Sequence, residues 1–182
     1  MQSPLHYRNK AKSSFVSLRR RLLSGVYQSS TGCTVPVENC MIQGECANRI
    51  IAQTTRLAAS FQIKVYNPEM KTGILRHILV RRGFATKEIL VVIAVYEDWM
   101  PNERSFVDAV LGHCPEITAL LINVSKDQRA LVLGGESRIV HGSGKITDIL
   151  CGKNLSFPPT PFIRSTPCRR SSSTRRRSPS SA

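Results

Sequence analysis

The chain has 182 residues, 41% of them hydrophobic, and carries 26 Lys and Arg against 12 Asp and Glu, for a formal net charge of +14. That length fits one domain able to bury its own core, with room for a tail. No apolar run approaches bilayer-spanning length and no secretory leader opens the sequence, so no membrane partner and a cytoplasmic setting are expected.

The first segment reads as strands. Leu5 to Val16 is one; Leu22, Leu23, Gly25, Val26 and Tyr27 make a second, with Arg19–Arg21 at the turn between them; Thr34 to Val37 is a short third. The period then changes. Ala47, Ile50, Ile51, Thr54, Leu57, Ala58 and Phe61 recur at helical spacing, which predicts a helix over 44–60. A hairpin follows, with Ile74 to Arg82 paired to Glu88 to Tyr96. The second of these strands is apolar on both faces, as a central strand in a covered sheet should be. A second helix begins after Asn102, read as its N-cap, with Glu103 in the first turn and Gly112 as its stop. Ile117 to Val124 is another buried strand, and short strands near Ala130–Leu133, Arg138–His141 and Ile146–Leu150 end the ordered part. The order β-β-α-β-β-α-β-β implies an α+β fold, one mostly antiparallel sheet with two helices packed against it.

The charge is concentrated at the ends. Residues 1–37 hold six Lys/Arg and no acid, residues 158–182 hold six Arg and no acid, and residues 38–157 hold fourteen basic and twelve acidic residues. Phosphate is the partner that such polycationic ends imply, with solubility alone as the competing use. In "YRNKA", Tyr7, Arg8 and Lys10 are read onto one strand face with Asn9 opposite; the cations would meet phosphates and Tyr7 would stack or hydrogen-bond to a nucleotide. On the hairpin, Arg76 and Arg82 share one face and His77 and Arg81 the other. Arg76 and Arg81 complete the candidate RNA-binding set of Tyr7, Arg8, Lys10, Arg76 and Arg81; solvated strand faces are the competing reading.

Together, "YRNKA", "GVYQSSTGCTVPVENCMIQ" (25–43), "GILRHILVRRG" (73–83), "EILVVIAV", "LLINV" and "LVLGGESRIVHGSGKITDIL" resemble the RNA uracil-C5 methyltransferase family, makers of 5-methyluridine in ribosomal or transfer RNA. The resemblance covers about residues 5–157. It implies an RNA-binding β-barrel, a central α+β domain that contacts RNA, and a Rossmann-like domain that binds S-adenosylmethionine and supplies a nucleophilic cysteine. Only the central part is matched, as residues 1–157. No glycine-rich loop after a strand offers a cofactor site, since "LGG" at 133–135 is too little. No catalytic residue is therefore assigned, and the chain alone is expected to be inactive. The alternative is a free-standing basic RNA-binding protein without catalysis.

Residues 158–182 form an Arg/Ser-rich tail expected to be disordered. Beyond this point the family continues with a motif of the form S-P-x-x-F-x-Q-V-N-P-x-Q. Suitable codons for the stretch beginning at Phe162 give His-Gln-Val-Asn-Pro-Val-Gln-Thr in a shifted frame, so the tail is read as out-of-frame translation beginning near Phe157.

The cysteines Cys33, Cys40, Cys46, Cys114, Cys151 and Cys168 lack the close pairs of a common zinc pattern and are read as reduced and partly buried. The resemblance singles out Cys40: "V-x-x-C-x-I-Q", reproduced by Val37, Cys40, Ile42 and Gln43, carries the fourth ligand of a [4Fe–4S] cluster in many family members. Its three upstream partners do not occur here. His113 and Cys114, adjacent at a helix end, are a weak signal for an unrelated cysteine enzyme.

Overall fold

The computed structural model describes residues 5–28, 30–126, 133 and 136–158. In chain order the elements are β1 (Lys10–Leu18), β2 (Arg21–Gln28), β3 (Cys33–Pro36), α1 (Glu45–Ser60), β4 (Leu75–Arg82), β5 (Ile89–Val95), α2 (Glu103–His113), β6 (Ala119–Val124), β7 (Ser137–His141), β8 (Ile146–Leu150) and β9 (Lys153–Phe157). Seven strands form one sheet in the order β3-β2-β1-β4-β5-β6-β7, and β8 and β9 form a separate hairpin. Every pairing is antiparallel except β5 with β6, whose parallel register requires a crossover that α2 supplies. The expected α+β class, a mostly antiparallel sheet with two helices, is what the chain adopts.

Strand alternation divides the sheet into two faces. On one, Ala11 and Phe15 of β1, Ile78 and Val80 of β4, and the odd-numbered residues of β5 pack with the apolar stripes of α1 and α2. The α1 stripe buries Ala47, Ile50, Ile51, Thr54 and Ala58, the spacing read from the sequence. Phe61 and Phe106 meet edge to face at 5.7 Å, joining the two helices. On the other face, Leu79, Leu90, Val92, Ala119 and Leu121 are covered by Ile146 and Phe157 of the β8–β9 hairpin. Strand β5 thus has all seven residues buried, because it lies between β4 and β6 with layers on both sides.

Two backbone features fix the N-terminal meander. Arg19 and Arg20 have φ of 49° and 63°, the pair of positive values that a two-residue hairpin turn between twisted strands demands. Gly25 is buried where β2 meets β3, and a Cβ there would overlap the Val35 carbonyl and press on Pro36.

Several boundaries differ from the sequence reading. Strand β1 starts at Lys10 rather than Leu5, because His6 and Arg8 donate their amides to the carbonyls of Met41 and Ile42 and so pair with a loop. Asn102 holds the N-cap position in a left-handed conformation (φ 52°) and makes no side-chain cap bond; its carbonyl still accepts the Phe106 amide. Gly112 does not stop α2, which continues to His113 and closes at Cys114. Strand β9 was not foreseen: its apolar residues are only Leu155 and Phe157, and its burial depends on packing against the sheet. The strand expected near Ala130–Leu133 and the disorder expected over 158–182 fall outside the described residues, apart from Pro158 and from Leu133, which packs against the second cluster.

Candidate nucleic-acid interface

The β1–β4 ladder assembles the site. Its register places Lys10 opposite Arg81, Lys12 opposite Leu79 and Ser14 opposite His77. Directly paired residues share a face, so Lys10, Lys12 and Arg81 stand on the face away from the helices. His77 Nδ1 lies 3.0 Å from Ser14 Oγ. Arg76 occupies the irregularity between Leu75 and His77 in the β4–β5 ladder and, by its charge, acts on Lys12.

Like charges on adjacent strands repel, and the lysines register it. Burial, then Lys10 and Arg76, push the Lys12 ammonium down to about 8. Burial and Arg81 together lower Lys10 as well. An arriving anion would relieve this repulsion, which is the chemistry that the arrangement offers.

The sequence-derived set divides on inspection. Arg8 is exposed and Tyr7 half-buried, both ahead of β1. The strand alternation invoked to place Tyr7, Arg8 and Lys10 on one face therefore does not operate at Tyr7 and Arg8; in any extended run, period two would set Tyr7 opposite Arg8. Arg76 and Arg81 are enclosed, at 8% and 4% exposure. Arg76 donates from Nη1 to the Ser125 carbonyl at 2.5 Å and lies 5.5 Å from the centre of the Tyr66 ring. The Arg81 guanidinium stacks 3.9 Å from the centre of the Phe157 ring. Burial lowers its pKa and the nearby Asp148 raises it. Both arginines are thus committed to internal contacts and shape the field felt by Lys10 and Lys12. Lys12 was missed by the sequence reading, although its place two residues from Lys10 puts it on the same strand face.

Asp148 anchors the hairpin beside the site. Burial works against its charge, yet the amides of Ala85, Phe84 and Ile149 donate to the carboxylate and hold its pKa below the ordinary value. Gly83 allows this approach, since a Cβ there would crowd the Thr86 hydroxyl and the Thr147 carbonyl.

Among the described residues, neither Cys114 nor Cys40 has the surroundings of a reactive thiolate. Cys114 is fully buried, and burial followed by Glu116 pushes its thiol up to about 11, far from a thiolate. His113 Nδ1 lies 2.9 Å from the Ala109 carbonyl, a bond within its own helix. Cys40 is half-buried, with its amide and carbonyl both bonded to the Asn48 side chain. Among the described residues no group of three or more His, Cys, Asp or Glu side chains could hold a metal, so the residues around Cys40 do not fit an iron–sulfur cluster. The connection from β5 to α2, residues 96–102, contains Trp99, Met100 and Pro101 and no glycine, so it is not the glycine-rich turn of a dinucleotide-binding unit. No helix among the described residues is long and apolar enough to cross a membrane.

Comparison with known proteins finds relatives over most of this chain. An uncharacterized RNA methyltransferase of Caldanaerobacter subterraneus subsp. tengcongensis is 24% identical over 167 residues, which is 92% of this chain and 37% of that protein. One from Enterococcus faecalis is 29% identical over 167 residues, again 92% of this chain and 36% of the relative. The chain thus spans little more than a third of the curated relatives that it matches. No family model matches. Among solved structures, the Pyrococcus abyssi tRNA (uracil-54, C5)-methyltransferase in complex with S-adenosyl-L-homocysteine shares the fold at a TM-score of 0.70 and 18% identity, covering 90% of this chain and 38% of that one. Over 92% of its length the chain is thus similar to proteins named RNA methyltransferases.

Proposed function

We propose that this chain is the RNA-gripping part, residues 1–157, of a uracil-C5 RNA methyltransferase, and that S-adenosylmethionine binding and methyl transfer depend on residues outside it. The observation that carries this reading is the β1–β4 register, which gathers Lys10, Lys12 and Arg81 on one face with Arg76 acting on Lys12. In this reading Arg8, Lys10 and Lys12 meet RNA phosphates, Tyr7 stacks beside them, and Arg76 and Arg81 hold the lysines' surroundings positive. Ribosomal RNA is the proposed substrate, with transfer RNA as the other arm of the test. Residues 158–182 are proposed to be out-of-frame translation, which the coding nucleotides decide.

Filter binding to uridine-containing rRNA and tRNA fragments over a salt series tests the grip. Affinity should fall steeply with salt, and Arg8→Gln with Lys10→Gln should flatten the logarithmic slope by roughly two. A slope unchanged by the pair would remove these residues. The chain alone should transfer no methyl group from S-adenosylmethionine; 5-methyluridine formed by the purified chain would overturn the division of labour. A free-standing RNA-binding protein is the second reading, favoured by the concentration of charge at the chain's ends. It predicts no dependence on a catalytic partner.

A further inference from the structure

A second feature lies at the other end of the sheet. The carboxyl ends of the parallel strands β5 and β6 open onto a groove of about 760 Å³, lined in part by Tyr96, Glu97, Asp98, Glu136 and Arg138. That volume suits a nucleoside, and the carboxyl ends of parallel strands joined through a helix are where α/β units commonly take ligands.

Three properties select the occupant. One wall is aromatic. Tyr96 lines the groove and stacks on Tyr66 with ring centres 4.0 Å apart and planes 14° apart. Arg76 lies over Tyr66, so this aromatic column runs from the cationic cluster to the groove. The charge is also selective. Glu97, Asp98 and Glu136 bring three carboxylates, while Arg138 is already bound to Asp98 at 3.2 Å and to Glu103 at 2.6 Å. Lys126 is the other cation of the lining. A phosphate would be repelled, but a neutral base would not. Finally, carboxylates only accept hydrogen bonds. Guanine presents adjacent N1–H and N2–H donors that match the two oxygens of one carboxylate. Uracil presents a single N–H between two carbonyls, which would face the carboxylates unfavourably.

We propose that this groove receives an unstacked guanine of the RNA held on the cationic face. The inference rests on the RNA-gripping reading for its ligand, so its test uses free nucleosides. Equilibrium dialysis of the full chain against guanosine and against uridine should show saturable guanosine binding at least tenfold tighter. Glu97→Gln combined with Glu136→Gln, both surface positions, should abolish the preference while leaving the circular dichroism unchanged. Equal affinities for the two nucleosides, undetectable guanosine binding, or a preference that survives the double substitution would overturn the inference. The two readings fail separately: salt-independent RNA binding refutes the cationic grip, whereas indifference between guanosine and uridine refutes the guanine groove.

Discussion

Replacing Lys12 by methionine should stabilise the protein while weakening its hold on RNA. Lys12 falls from 10.5 to about 8 through burial, Lys10 and Arg76, so its charge is unfavourable in the folded state. A fall of that size corresponds to at most about 3 kcal/mol; solvent screening at a half-buried side chain reduces this to about 1–2 kcal/mol. Methionine keeps the apolar stem and removes the charge. The sign follows from proton counting. Between pH 8 and 10.5 the unfolded chain binds the Lys12 proton and the folded chain does not, so wild-type stability rises with pH across that window. The Lys12→Met advantage should therefore be full below pH 8 and fade towards pH 10.5. Urea denaturation of both proteins at pH 7 and pH 10 measures it, while the salt slope of RNA binding should fall by about one. A variant less stable than wild type at pH 7, or an advantage independent of pH, would show that burial and its cationic neighbours do not disfavour the Lys12 charge.

Three further outcomes concern the frame around the site. Gly25→Val should cost about 2–3 kcal/mol in chemical denaturation, because the added side chain meets the β3 backbone at Val35 and Pro36. Phe157→Ala should cost about 3–4 kcal/mol by removing a ring 2% exposed that covers Leu79 and Leu90 and stacks on Arg81; a loss under 1 kcal/mol would mean that the β8–β9 hairpin is not anchored there. Asp148 has a depressed folded pKa, so its contribution is present above the ordinary carboxylate range and lost as pH falls through the folded value. Asp148→Asn should be less stable at pH 7, and the difference should shrink in acid unfolding below pH 4.

Much of the fold was legible because periodicity survives in a single sequence. The α1 stripe from Ala47 to Ala58 and the doubly apolar β5 carry their burial in their spacing. The turn at Arg19–Arg20 was legible from charge and position, but its positive φ values were not, since nothing in arginine asks for them. The site was half legible. Lys10 and Arg81 were both named, yet their pairing depends on a ladder between strands some seventy residues apart. Burial of Arg76 and Arg81 was invisible because it depends on Ser125, Tyr66 and Phe157, partners distant in sequence. Tyr7 was set on the wrong face by miscounting the period of two, and the start of β1 was placed too early because the pairing of His6 and Arg8 with residues 41–43 claims that stretch.

The ring of Phe157, stacked on Arg81 directly across from Lys10, has a topological consequence. Polypeptide leaving Phe157 departs from beside the cluster of Lys10, Lys12 and Arg81, the surface proposed to hold RNA. A module joined there would need almost no tether to reach a gripped strand, and its local concentration at that strand would be set by geometry rather than by diffusion.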